Sequence, residues 1–219
     1  MILRCLKCMA RCVSVLVVVL IVQGCRGSNP VYDTLTNVLP WSRQYASLQP
    51  GFEYLWVSVD GRASVMALGS RETRGRAVHE HWYTGQGEMI YLVNGRVQQA
   101  LGFTHEVRHQ TGQAPAWSEL GQSLTAVQWT RQLDLMPGYR MGVQEYVASR
   151  AVAEPSRLPE DVPAHAQWYA DIVNGKHANG LAWRYEQRFA LANDHVVYSE
   201  QCLAATLCLK LRPLGVVVP

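Results

Sequence analysis

Residues 88–101 run Glu88-Met-Ile-Tyr-Leu-Val93, then Asn94-Gly95, then Arg96-Val-Gln-Gln-Ala-Leu101, and they are the clearest indication of the fold. Two runs rich in apolar, β-branched and aromatic residues flank the Asn-Gly pair, as in two paired strands. A two-residue turn between strands needs positive φ at both central positions, which Asn and Gly tolerate. The stretch therefore predicts a tight β-hairpin.

Further strands are predicted on both sides of this hairpin. Phe52–Val59 is aromatic and β-branched, and Asp60-Gly61 is a turn signal ahead of Ala63–Leu68. Apolar and polar residues alternate in Thr125–Leu135 and in Leu181–Leu191, which is typical of antiparallel strands with one wet face. The apolar faces consist of Val127, Trp129, Leu133 and Leu135 in the first segment, and Leu181, Trp183, Tyr185, Phe189 and Leu191 in the second.

These strands predict a mostly β protein with a curled, half-barrel-like antiparallel sheet, in one or two subdomains. Tyr32, Leu35 and Leu39 lie at helical spacing and predict one short N-terminal helix. Three prolines interrupt residues 152–165, so this segment is predicted to be a linker or surface loop. The predicted regions are a main antiparallel β region at 31–151, the Pro-rich segment at 152–165 and a C-terminal β region at 166–219.

The first part of the chain has the composition of a secretory signal. Arg4, Lys7 and Arg11 form a positive region, and Val13–Val22 is apolar apart from one Ser. A transmembrane helix needs ~20 apolar residues, about twice the length of this run. A short apolar segment behind a positive flank is typical of a secretory signal.

The apolar run ends in Val22-Gln23-Gly24-Cys25, which resembles the bacterial lipobox. The small Gly24 gives the peptidase access to the bond before Cys25, and two or more acyl chains on that Cys give a stable membrane anchor. Arg26 stands where Asp is the usual signal for retention in the inner membrane, so we expect the outer membrane, facing the periplasm. An ordinary cleaved signal with a chance Cys is the alternative. The predicted segments are a signal peptide at 1–24 and a lipidated tether at 25–30.

The net charge of +3 comes from the three basic residues of the predicted signal, so the mature chain is formally neutral. A nucleic-acid-binding protein usually carries a basic stripe or run, and the sequence after Cys25 has neither. We therefore expect no nucleic-acid partner, and no motif predicts a cofactor.

Two cysteines, Cys202 and Cys208, remain beyond the predicted signal and Cys25. On one extended strand they would lie roughly 20 Å apart, too far to bond. If the segment between them bends, a disulfide can form in the oxidising periplasm, and two buried free thiols are the alternative.

One motif suggests metal chemistry. His105-Glu106-Val107-Arg108-His109 matches H-E-x-x-H, which on a helix holds zinc with two imidazoles and uses the Glu as general base. Gly112 extends the match to the longer metzincin pattern, but Pro115 stands where that pattern has its third His. The residues before the motif favour a strand and those after it a turn, so we expect neither a catalytic nor a metal site here. His79 and His81 share one strand face but lack a third ligand, and they are expected to be surface residues.

All seven Trp residues lie beyond the predicted signal, and at strand spacing most of them are expected to fill the core. An exposed indole can stack on the apolar face of a sugar ring. Trp41 and Trp117 lie in turn-like settings and are the candidates for sugar stacking.

Several segments together resemble the YjbF/GfcB family of lipoproteins, which are encoded with exopolysaccharide and group 4 capsule export systems. The resemblance implies a mostly β protein at the outer membrane, without established catalytic residues. The Cys202/Cys208 pair and the H-E-x-x-H motif depart from the family pattern. The matching residues are Tyr45-Ala46-Ser47, Trp82, Ile90, Asn94-Gly95-Arg96-Val97, Leu101-Gly102 and Ser199-Glu200-Gln201.

The function expected from the lipobox, the neutral β-rich body and this resemblance is a non-catalytic accessory role in exopolysaccharide or capsule assembly or export. The expected partners are outer-membrane lipid, through acylated Cys25, and polysaccharide or proteins of the export machinery. Two alternatives remain. One is a zinc hydrolase acting through His105, Glu106 and His109, and the other is a carrier that holds a lipid or glycolipid against a concave sheet.

Overall fold

A computed structural model describes residues 48–59, 61–159, 162–176, 182–204 and 207–216. The predicted signal, Gly24, Cys25, the short helix expected at residues 31–39 and Trp41 lie outside the described residues. The described residues form one helix and twelve strands: β1 (Glu53–Val59), β2 (Arg62–Arg74), β3 (Ala77–Tyr83), β4 (Met89–Val93), β5 (Arg96–Leu101), β6 (Glu106–Thr111), α1 (Trp117–Gln122), β7 (Val127–Met136), β8 (Arg140–Val152), β9 (Gln167–Lys176), β10 (Ala182–Ala192), β11 (His195–Ala204) and β12 (Leu207–Val216).

The strands form a single closed antiparallel barrel in which each strand pairs with its neighbours in sequence. The predicted half-barrel is wrong in this respect, because β12 pairs with β1 from Glu53↔Val216 to Val59↔Leu209. Closure removes both free sheet edges, whose backbone N–H and C=O groups would otherwise lack strand partners. The antiparallel, mostly β character is confirmed.

The hairpin at residues 88–101 is confirmed. β4 and β5 pair from Met89↔Leu101 to Val93↔Arg96. The turn residues Asn94 and Gly95 have φ of 50° and 77°, which is the conformation for which an Asn-Gly pair is suited.

Alternate residues of the strands fill the barrel with apolar side chains. The larger core cluster collects residues from β1 to β7 and β12, and Trp82, Met66 and Ile90 in it are almost fully buried. A second cluster forms where α1 contributes Trp117 and Leu120. There they pack with Tyr169, Phe189 and Leu191, so the helix covers the apolar ends of β9 and β10.

The Pro-rich segment connects two paired strands of the same barrel. β8 and β9, on either side of it, pair from Glu145↔Gly175 to Val152↔Trp168. Val162 of the segment is buried against Trp168 and Tyr198. The described residues on either side of positions 160 and 161 therefore belong to the loop between two barrel strands. The option of two subdomains is wrong, because both sides contribute strands to one barrel.

Among the described residues, no helix is long and apolar enough to cross a membrane.

Candidate functional site

The H-E-x-x-H residues lie in an extended segment and not on a helix. His105 precedes β6, and Glu106 and His109 belong to it. Four residues along a strand span ~13 Å, so the two His backbones are not one helical turn apart, as the zinc motif requires. The described residues contain no cluster of three His, Cys, Asp or Glu side chains arranged to hold a metal.

Glu106 also lacks the electrostatic setting of a general base at neutral pH. Its carboxylate accepts a hydrogen bond from the Gly102 backbone N–H at 2.9 Å and pairs with Arg108 at 3.0 Å. The Gly102 bond, together with Arg108, lowers the pKa of Glu106. A general base is most effective with a pKa near the working pH, so this shift has the opposite sign to that of a tuned catalytic carboxylate.

His79 and His81 form a polar aromatic cluster with Tyr91 on β4. The His81 ring stacks on the Tyr91 ring, with centroids 4.5 Å apart, and His79 Nδ1 lies 2.5 Å from the Tyr91 hydroxyl oxygen. Ser70 Oγ lies 3.1 Å from His81 Nδ1. The two imidazoles are thus engaged by strand neighbours, as cross-strand pairs usually are.

Trp117 lies in the core, with 8% of its surface exposed. Its indole N–H donates to the Asn94 carbonyl at 2.9 Å, and the Arg96 guanidinium lies 3.5 Å from the centre of its ring. Tyr169 and Phe189 pack around the same ring. This position therefore presents no open ring face to a sugar.

Cys202 and Cys208 form a disulfide in the structure. The two residues face each other on paired strands, and their sulfur atoms are 2.02 Å apart. The two cysteines therefore lie on separate, paired strands and not on one extended strand.

Among the described residues, two ion pairs are buried in the barrel, and no motif of the sequence points to them. Arg96 contacts Asp171 at 3.1 Å, and the Asp171 carboxylate also accepts a hydrogen bond from Ser149 at 2.5 Å. Arg131 contacts Glu145 at 2.8 Å. Removing one partner of such a pair leaves the other charge buried without a counter-charge, which lowers the free energy of unfolding by about 3–5 kcal/mol.

The second pair extends into a network of aromatic donors. Trp183 and Tyr185 both donate to Glu145, at 3.0 and 2.8 Å. Burial raises the pKa of Tyr185, so its hydroxyl stays protonated and remains a donor. Burial alone would lower the pKa of Arg131, but Tyr185 and Glu145 raise it, so the guanidinium stays charged.

Two of the segments that carry the family resemblance are hydrogen-bonded to each other in the barrel. Gln201 on β11 accepts a hydrogen bond from the Val97 backbone N–H at 2.8 Å and donates to the Gly95 carbonyl at 2.7 Å. These hydrogen bonds join the turn-and-strand segment to the Ser-Glu-Gln segment, although Val97 and Gln201 are 104 residues apart in the sequence. Their shared role in the structure is to fix β5 against β11.

The described barrel interior is tightly filled. A cavity bordered by Val97, Arg131 and Gln187 has a volume of about 10 Å³, which is about enough for one water molecule. A larger groove of about 270 Å³ lies at the rim between α1, the end of β8 and the start of β9. Its lining includes Glu154, Gln167 and Tyr169. This groove is the candidate binding site of the described residues.

Comparisons with known proteins agree with this architecture. The crystal structure of the hypothetical lipoprotein YmcC from Escherichia coli (K12) has a TM-score of 0.64 and 14% sequence identity. The match covers 88% of this chain and 100% of that chain, and at this identity it shows a shared fold. A search of curated proteins finds no significant match.

A family model identifies the family of this chain. The model described as "Group 4 capsule polysaccharide lipoprotein gfcB, YjbF" matches residues 40–211, which is most of the chain and includes nearly all of the barrel. The chain therefore belongs to the YjbF family of group 4 capsule polysaccharide lipoproteins.

Proposed function

We propose that this protein is an outer-membrane-anchored accessory lipoprotein that acts without catalysis in the assembly or export of a capsule or exopolysaccharide. The observation that carries the proposal is the family match over residues 40–211. The family description names both the polysaccharide and the lipoprotein character.

The lipobox supports the anchored part of the proposal. Acylation of Cys25 would attach the chain to a membrane, and Arg26 favours transfer to the outer membrane. Between Cys25 and the first strand at Glu53 lie more than twenty residues.

Three features of the barrel support a binding role over a chemical one. Its interior is filled by apolar side chains and two satisfied ion pairs, so the catalytic pocket of an enzyme has little room there. The motif that suggested zinc lies along β6, and the pKa of Glu106 is lowered. Exposed and rim surfaces are therefore where this protein would meet its partners.

The test is deletion of the gene in the producing strain, followed by measurement of polysaccharide at the cell surface and in the medium. We expect less exported polysaccharide, restored by the wild-type gene and poorly restored by a Cys25→Ser variant that cannot be acylated. Unaltered polysaccharide in the deletion strain, with the locus expressed, would overturn the proposal.

A further inference from the structure

The rim groove is lined by residues of β9, α1, the end of β8 and the segment that follows β8. Trp168 and Tyr169 of β9 form one wall and are almost fully buried. Gly121 of α1 forms another. On the side of the Pro-rich segment, the Ala166 backbone N–H donates to the Pro163 carbonyl at 3.0 Å, and Val162 is buried.

Gly121 leaves space for the hydroxyl group of Tyr169 at the polar end of the groove. A Cβ at this position would lie 3.0 Å from the Tyr169 hydroxyl oxygen, closer than ordinary contact allows. The hydroxyl donates to Gln167 Oε1 at 3.0 Å and so orients the carboxamide. Burial raises the pKa of Tyr169, which keeps this donor protonated.

The groove lining combines a carboxylate, a carboxamide and apolar surface. Glu154 contributes two acceptor oxygens, and the Gln167 carboxamide contributes both donors and an acceptor. Among the described residues, none that lines the groove is Lys or Arg. An anionic ligand would therefore meet the Glu154 carboxylate without a compensating cation, which disfavours it.

We propose that the groove binds a neutral, hydroxyl-bearing sugar unit of the polysaccharide that this protein serves. This inference rests on the proposed function. Hydroxyl groups can donate to Glu154 and exchange hydrogen bonds with Gln167, while the C–H surface of the ring packs on the Ala151, Val152 and Ala166 side of the groove. The volume of about 270 Å³ lies below the ~300–1,000 Å³ of sites for drug-sized ligands, so the site holds a short segment and not a long chain.

The test is calorimetric titration of the detergent-solubilised, full-length lipoprotein with fragments of two to four sugars from the strain's own polysaccharide. The fragments are prepared in two forms that differ in charge. In one form carboxyl groups are reduced to alcohols, and in the other primary alcohols are oxidised to carboxylates. We expect the neutral form to bind at least tenfold more tightly than the anionic form.

Three variants test where the fragments bind and how the groove selects them. Ala151→Trp places a large side chain at an exposed lining position and should weaken binding of the neutral form at least tenfold. Gln144→Trp is the matched control on the same strand, exposed and outside the groove lining, and should bind like wild type. Glu154→Gln keeps the shape but removes the charge, so the preference for neutral over anionic fragments should fall about tenfold.

Three results would overturn the inference: no binding of either fragment by wild type, equal binding by Ala151→Trp and Gln144→Trp, or a wild-type preference for the anionic form. Thermal melting shows whether Ala151→Trp is folded, and if it is not, the change in selectivity of Glu154→Gln decides. If gene deletion lowers polysaccharide output while no fragment binds, the proposed function stands and the groove assignment fails.

Discussion

Replacement of Gly95 by Ala tests the hairpin on which the fold prediction began. Gly95 has a φ of 77°, and a Cβ built on it would lie 2.5 Å from Val196 Cγ2 and 2.7 Å from Val196 Cβ. Two separate costs follow. The Ala backbone is strained at positive φ, and the new methyl group forces the branched Val196 side chain to shift.

Gly61 separates the two costs. It has a φ of 79°, and a Cβ there would meet no atom within 4 Å. Gly61→Ala should therefore lower the free energy of unfolding by the strain alone, about 1–2 kcal/mol. Gly95→Ala should lose that amount plus an overpacking cost of about 1–3 kcal/mol. In a Gly95→Ala/Val196→Ala double variant the overpacking part should be recovered relative to the sum of the single variants.

The assay is urea unfolding followed by tryptophan fluorescence. Wild type is compared with four variants, Gly61→Ala, Gly95→Ala, Val196→Ala and Gly95→Ala/Val196→Ala, provided that the slope of unfolding free energy against urea concentration is the same for all five proteins. If Gly95→Ala and Gly61→Ala lose equal stability, the packing of the hairpin turn on Val196 is wrong. If neither loses stability, the positive φ assigned to both turns is wrong as well.

Further predictions concern the anchor, the motif and the disulfide. Cys25→Ser should move the protein from the membrane fraction to the periplasm or leave uncleaved precursor, and mass spectrometry showing unmodified Cys25 in the wild type would contradict the lipobox assignment. Metal analysis of the purified wild type should find well under one zinc per chain, whereas stoichiometric zinc lost on His109→Ala would reverse that expectation. The Cys202→Ser/Cys208→Ser variant should lose about 2 kcal/mol of stability, since the bond closes a loop with a sequence separation of 6. Free thiols at both positions in protein isolated without reductant would contradict the bond.

Features encoded locally could be predicted from the sequence. The Asn94-Gly95 turn follows from the backbone freedom of two adjacent residues, and the inward faces of β7 and β10 follow from period-2 alternation. Val127, Leu133 and Leu135 on β7 are buried or partly buried, as the alternation predicts. The family resemblance likewise rested on short local motifs, and the family model confirmed it.

Features that depend on distant parts of the chain could not be predicted. Closure of the barrel requires β1 to meet β12, which are separated by most of the chain, and no local pattern encodes that pairing. Arg131 interrupts the apolar face of β7, and on sequence grounds alone an Arg is expected at the surface. Its burial makes sense only with the register Arg131↔Glu145, which places the two charges directly opposite each other on neighbouring strands.

The candidate site was mostly missed for the same reason. Trp117 was predicted in a turn-like setting, but it begins the helix α1 and packs in the core. The groove brings together α1, the end of β8 and the start of β9. Its polar residues match no known motif in type or spacing. One signal was available: the three prolines of residues 152–165 predicted a linker or surface loop, and Glu154 of this segment lines the groove.

We propose that this family member serves polysaccharide assembly or export without performing a chemical step. The most direct measurement is the amount of surface polysaccharide in a gene-deletion strain that carries a His105→Ala/Glu106→Gln/His109→Ala variant, at a protein level matched to wild type in the membrane fraction. We expect this variant to restore polysaccharide to the level that the wild-type gene restores. Polysaccharide that stays at the level of the deletion strain, with the variant present and folded, would contradict the account.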